Sequence, residues 1–145
     1  MKVLIDADGC PVVDIALRVA AGAGVQAVIL CDTAHEFHRE GVETMTVSKG
    51  ADSVDFALVN RMEAGDIAVT QDYGLAAMCL AKGGRPIRQD GLLYGPDNMD
   101  RRLEERYMAG KLRRAGGRVR GPKKRTAEQD RCFEAALQAL IDQRE

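Results

Sequence analysis

Short, unbroken apolar runs, each followed by a helical pattern, constrain this chain more than any other feature. Val3-Leu4-Ile5 is the first, Val25 to Cys31 the second and Ile67-Ala68-Val69-Thr70 a later one. A strand with one wet face alternates apolar and polar residues. A continuous run belongs to a strand covered on both faces, as in a parallel sheet flanked by helices. Val12, Ile15, Ala16 and Val19 then recur at helical spacing, with Pro11 suited to a first turn and Gly22 and Gly24 to an end. Glu43 to Val47 predicts a third strand, Ser48-Lys49-Gly50 a turn, and Ala51 to Glu63 a helix with Val54, Leu58 and Met62 on one stripe. Gly65 stops that helix, the fourth strand follows, and a helix over about Leu75 to Lys82 ends at Gly83-Gly84. Pro86-Ile87 predicts a short fifth strand. Strand–helix alternation across residues 2–88 predicts an α/β three-layer sandwich with a mostly parallel central sheet.

The character changes after Gly91. Asp97 to about Arg114 reads as a charged helix, and Ala115 to Arg125 as a Gly-rich basic loop. Thr126 with Gln129 is a capping-box signature. It opens a last helix near Ala127 to Gln143, with Phe133, Leu137, Leu140 and Ile141 on the face that would dock on the sheet. The reading is therefore one domain over 1–145: an α/β core over 1–90, then a basic helical extension over 91–145 that ends in the C-terminal helix.

Charge follows the same division. The net charge is only −1, yet residues 1–100 carry 8 Lys and Arg against 15 Asp and Glu, while residues 101–125 carry 11 against 2. An acidic body with one basic strip suits a polyanion partner. Arg113, Arg114, Arg118, Arg120, Lys123, Lys124 and Arg125, with Lys49, are the candidate nucleic-acid contacts. No apolar run is long enough to span a membrane, and the acid at Asp6 comes too early for a signal peptide, so a cytoplasmic protein is expected. The four cysteines, Cys10, Cys31, Cys79 and Cys132, are widely spaced and read as reduced thiols, mostly packed. His35 and His38 read as a solvated helical face rather than as ligands. Gly22-Ala23-Gly24 follows a helix and enters a strand, the reverse of a dinucleotide fingerprint. A homodimer is left open.

The chemistry gathers where strands end. In a parallel sheet every strand's carboxyl end lies on one edge, where ligands of open α/β sheets bind. Asp6 and Asp8 follow the first strand, Asp52 and Asp55 open the helix after the third, and Asp72 follows the fourth. Each alone suits a helix cap or a turn. Together they would repel: two unit charges about 4 Å apart at an effective dielectric near 20 cost roughly 4 kcal/mol. A hard divalent cation, Mg²⁺ or Mn²⁺, would offset that repulsion, because such ions prefer oxygen ligands. Asp66 precedes its strand and belongs to the opposite edge.

Three blocks carry a resemblance: Asp6-Ala7-Asp8-Gly9-Cys10-Pro11-Val12, Gly50-Ala51-Asp52-Ser53-Val54-Asp55, and Asp66 to Ala76 with Thr70-Gln71-Asp72 at its centre. With Gly121-Pro122-Lys123 and Thr126-x-x-x-Asp130-Arg131-x-Phe133, they resemble the YaiI/YqxD family of bacterial proteins over nearly the whole chain. That family in turn resembles the PIN-like nucleases, which cut RNA and sometimes DNA with acids around Mg²⁺ or Mn²⁺. The resemblance implies a PIN-like fold with Asp6, Asp72 and either Asp52 or Asp55 as metal ligands. In the leading reading, a metal-dependent phosphodiesterase, Asp8 would be a ligand or outlying base and Thr70 would hydrogen-bond a metal-bound water.

Two other readings stand beside the metal-dependent ribonuclease. Asp6-Ala7-Asp8-Gly9 also resembles the nucleophile motif of haloacid-dehalogenase phosphatases, with Asp6 attacking, Asp8 as acid and Lys49 as the lysine those enzymes need. The further acid expected after Asp72 is Ala76 here, and the chain is short for that fold. The remaining reading is a non-catalytic nucleic-acid- or protein-binding module that keeps the acidic edge.

Overall fold

The computed structural model describes residues 1–32, 37, 39–48, 53–99 and 124–143. Five strands form one sheet: β1 (Lys2–Asp6), β2 (Gln26–Asp32), β3 (Glu43–Val47), β4 (Ile67–Val69) and β5 (Arg85–Ile87). Helices α1 (Val13–Gly22), α2 (Ser53–Arg61) and α3 (Tyr73–Ala81) connect them, and α4 (Ala127–Asp142) follows the sheet. All four strand pairings are parallel, and the order is β3-β2-β1-β4-β5. The chain thus builds outward from β1 through β2 to β3, then returns to the other side of β1 for β4. The gap between β1 and β4 is the topological switch point.

The apolar runs divide by alternate residues. Val3, Ile5, Ile29, Cys31, Ile67 and Val69 face α1 and α4, in one core with Val12, Ala16, Phe133, Leu137 and Ile141. Leu4, Val28, Leu30 and Ala68 face the opposite way, against Leu58 and Met62 of the α2 region and Leu75 and Cys79 of α3. Helices therefore cover both faces, which makes the three-layer sandwich and explains why the central strands read as unbroken apolar runs.

The extension is anchored to the α1 face. Thr126 accepts from the Gln129 N–H at 3.2 Å, and the Gln129 side chain accepts from the Thr126 N–H at 2.9 Å, completing the capping box. Phe133, Leu137 and Ile141 are fully buried, and burial of such side chains contributes about 1.5–3 kcal/mol each.

Two local readings change. Pro11 lies in the turn ahead of α1, whose N-cap is Val12, so it sets the entry to the helix rather than its first turn. The charged helix begins with residues 96–99, one position early, and its remainder lies outside the described residues. Also outside them fall His35 and His38, Lys49, Asp52, and Arg113, Arg114, Arg118, Arg120 and Lys123 of the basic segment. Among the described residues no helix is long and apolar enough to cross a membrane.

Candidate functional site

The switch point brings the ends of β1 and β4 side by side. Ile5 pairs with Val69 in register, so one step further Asp6 meets Thr70. The Thr70 hydroxyl donates to Asp6 Oδ2 at 2.8 Å and accepts the Asp72 N–H at 3.0 Å. A hydroxyl carries one proton. With the N–H of Asp72 aimed at its oxygen, that proton is committed to Asp6. Thr70 is buried to 1% exposure, and its proton positions Asp6.

Asp6 is the focus of the site. Its carboxyl is pushed up to about 6, first by burial; the Thr70 hydrogen bond pulls it the other way, and the charges of Asp55, Asp8 and Asp72 push it further up. Three carboxylates, from the turn after β1, from α2 and from the N-cap of α3, thus converge on it, as the edge rule predicts, and among the described residues no basic side chain is among the groups that shift it. Asp8 is fixed by the Asp32 N–H, which donates to its Oδ2 at 3.0 Å. Gly9 makes that turn possible at φ 71°, a conformation that side chains with a Cβ rarely adopt. Asp72 caps α3, accepting the Leu75 N–H on Oδ1 at 3.1 Å. The helix-cap reading of Asp72 is therefore satisfied at the same time as its place at the edge. Asp52 lies outside the described residues.

Asp32 is the acid that the sequence reading passed over. It ends β2 just as Asp6 ends β1, directly after an apolar run. That parallel was the available signal, and the polar segment that follows obscured it.

The donor set at the edge is entirely oxygen, the chemistry of Mg²⁺ or Mn²⁺. Among the described residues, however, no three Asp, Glu, His or Cys side chains form a ready-made group for an ion. Mg²⁺ keeps several waters and is often bound through only one or two carboxylates. Asp6 with Asp55 or Asp72 fits that demand without a closed cage.

The thiols stay out of this chemistry. All four cysteines are free. Burial pushes Cys10 up to about 11 and Cys79 up to about 12, so both are neutral thiols at physiological pH. Of the basic candidates, Lys124 is exposed and Arg125 is half-buried. Arg125 is tied by Nε to Asp130 at 2.6 Å and by Nη2 to the Gln89 carbonyl at 2.7 Å.

Residues 4–143 match the model of a family described as an uncharacterised bacterial group, YaiI/YqxD. The chain belongs to the YaiI/YqxD family. A UPF0178 protein of Exiguobacterium sibiricum is 51% identical over 144 residues, covering 99% of each chain. One from Clostridium acetobutylicum is 50% identical over 143 residues, 97% of each. Another from Ruminiclostridium cellulolyticum is 47% identical over 141 residues, 97% of this chain and 92% of the relative. The similarity to these YaiI/YqxD relatives spans both the acidic edge and the C-terminal extension, so the two come as one unit.

Proposed function

We propose that the protein is a metal-dependent phosphodiesterase of PIN-like type that acts on nucleic acid, with RNA as the favoured substrate. The observation that carries this reading is the meeting of Asp6, Asp8, Asp55 and Asp72 at the β1–β4 switch point, where open parallel sheets bind their ligands. Asp6 and Asp72 would hold Mg²⁺ or Mn²⁺, with Asp55 or Asp52 completing the set. Bound there, such an ion supplies charge stabilisation for a phosphoryl group and a more acidic water. The chain's own part is to hold Asp6 in place through Thr70 and Asp8 through the Asp32 N–H. Asp8 would take a proton from an attacking water. Lys49 and the basic segment that ends at Lys124 and Arg125 would hold the phosphate backbone, the source of most sequence-independent affinity.

Loss of even an outlying partner of a metal ligand costs roughly 10–100-fold in affinity or activity. Asp6→Asn should therefore lower Mn²⁺-dependent cleavage of single-stranded RNA by more than about 100-fold. Equal turnover by the variant and the parent protein would overturn the assignment. A second reading, a binding module that retains the acidic edge, draws on the lack of a ready-made ion group among the described residues. Retention of RNA in chelator with no cleavage under Mn²⁺ or Mg²⁺ would establish it.

A further inference from the structure

Next to the acidic edge, but not part of it, lies a cleft of about 280 Å³ lined by Gly9, Pro11, Gln71, Arg88, Arg125 and Gln129, with Gln89 and Asp90 at its side. It touches the site at two points. Gly9 follows Asp8, and Gln71 sits between Thr70 and Asp72. Small-molecule pockets run to roughly 300–1,000 Å³, so this cleft falls just short of that range. It suits one backbone unit of a strand better than a whole metabolite.

Its walls are rigid. Arg88 is held by both oxygens of Asp90, Nε at 2.8 Å and Nη2 at 2.5 Å. Arg125 is held between Asp130 of α4 and the Gln89 carbonyl. The turn that carries Arg88 to Asp90 is pressed onto α4: a Cβ at Gly91 would stand 2.7 Å from the Cys132 carbonyl oxygen. Arg125 reaches the acid turn electrostatically, since its charge acts on the Cys10 thiol. In the sequence it also closes the basic segment.

We propose that the cleft seats a backbone phosphate of a single nucleic-acid strand, next to the bond presented to Asp6 and Asp72, with Arg125 and Gln71 as its contacts. This rests on the nucleic-acid reading of the acidic edge. A guanidinium is a five-donor fork matched to phosphate oxygens. Among the described residues, Nη1 of Arg125 has no hydrogen-bond partner, and Gln71 is exposed and lines the cleft. The pairing of Arg88 with Asp90 and of Arg125 with Asp130 holds both guanidinium groups in place, so the seat also orients the strand it attracts. Such contacts set register, while the remaining basic residues supply bulk affinity. Because both forks are already held, little side-chain freedom is lost on binding.

The test is binding of a fluorescein-labelled single-stranded RNA of about 12 nucleotides to the full chain in EDTA, read by anisotropy across a salt series. Gln71→Glu places a carboxylate in the cleft without removing a structural bond and should weaken binding at least about 5-fold. Gln71→Arg should tighten it by a similar factor. Arg125→Ala should weaken it about 10-fold and lower the salt slope by about 1. Binding within about 2-fold of the parent for both Gln71 variants overturns the proposal. That holds even if Arg125→Ala is weak, since Arg125 also braces α4. The assay holds no metal and reads no cleavage. A protein that responds at Gln71 but never cuts would sink the phosphodiesterase and keep the seat. One that cuts RNA and ignores Gln71 would do the reverse.

Discussion

Asp6 and Asp66 occupy opposite ends of the same pair of strands and have opposite electrostatic fates. Asp66, 2% exposed at the amino end of β4, is fully provided for. It takes the Lys2 ammonium at 2.7 Å, the Lys2 N–H at 2.9 Å and the Glu63 N–H at 2.8 Å. Burial alone would raise its pKa, but these partners more than offset it and hold the carboxyl below the ordinary range. Asp6, at the carboxyl end of β1, is given one hydroxyl and three neighbouring acids, and its pKa rises. The first arrangement stabilises the fold. The second stores repulsion that a bound cation would relieve. Strongly perturbed acids of the second kind in a cleft mark functional sites more often than those that are simply ion-paired.

The largest effect that would break this contrast is on cleavage. Asp66→Asn should leave turnover per folded molecule within about 2-fold, against the loss of more than about 100-fold for Asp6→Asn. Comparable losses, measured as kcat under saturating Mn²⁺, would remove the distinction between the two ends. Next in size is stability: Asp66→Ala leaves Lys2 and two backbone N–H groups without their acceptor, and should cost about 2–4 kcal/mol in urea unfolding. Asp6→Asn should act the other way. The folded protein holds the Asp6 proton more tightly than the unfolded chain does. Stability is therefore lost as pH rises from about 3.9 toward about 6. Removing that ionisation in chelator should stabilise the protein at pH 7 by about 1–3 kcal/mol and flatten this part of the pH profile. Asp66, being depressed, contributes above the ordinary carboxylate value, and that contribution is lost as pH falls through its lower folded value. Smallest is Thr70→Val. It removes the hydrogen bond that lowers the Asp6 pKa, so the Asp6 carboxyl resonance should titrate above about 6, while Thr70→Ser should leave it in place. A downward shift in Thr70→Val would show that the hydroxyl does not serve Asp6.

Much of this was legible before the fold was known, for an identifiable reason. The placing of Asp6, Asp8, Asp55 and Asp72 on one edge and Asp66 on the other follows from chain direction once the strands are parallel. Thr126 and Gln129 name their own cap, because a capping box is local. The bonds of Thr70 to Asp6 and Asp72 were not legible, because they join the ends of two different strands, which no local pattern encodes. Asp32 was hidden because a polar residue before a polar segment looks like part of it. Arg125 read as one more charge in a basic run, when Asp130 and the Gln89 carbonyl hold it in the wall of a cleft.

Sequence by itself determined which segments are buried on both faces, which way they run and which side chains stand at their ends. Those are properties of hydrophobic period and chain polarity, and they are written residue by residue. Lateral order is not. Only the tertiary structure set β4 beside β1 instead of beyond β3. That choice arises from how the crossover helices pack on the two sheet faces. It is what joins Asp6 to Thr70 and Asp72 and brings α4 round to seat Arg125 next to them.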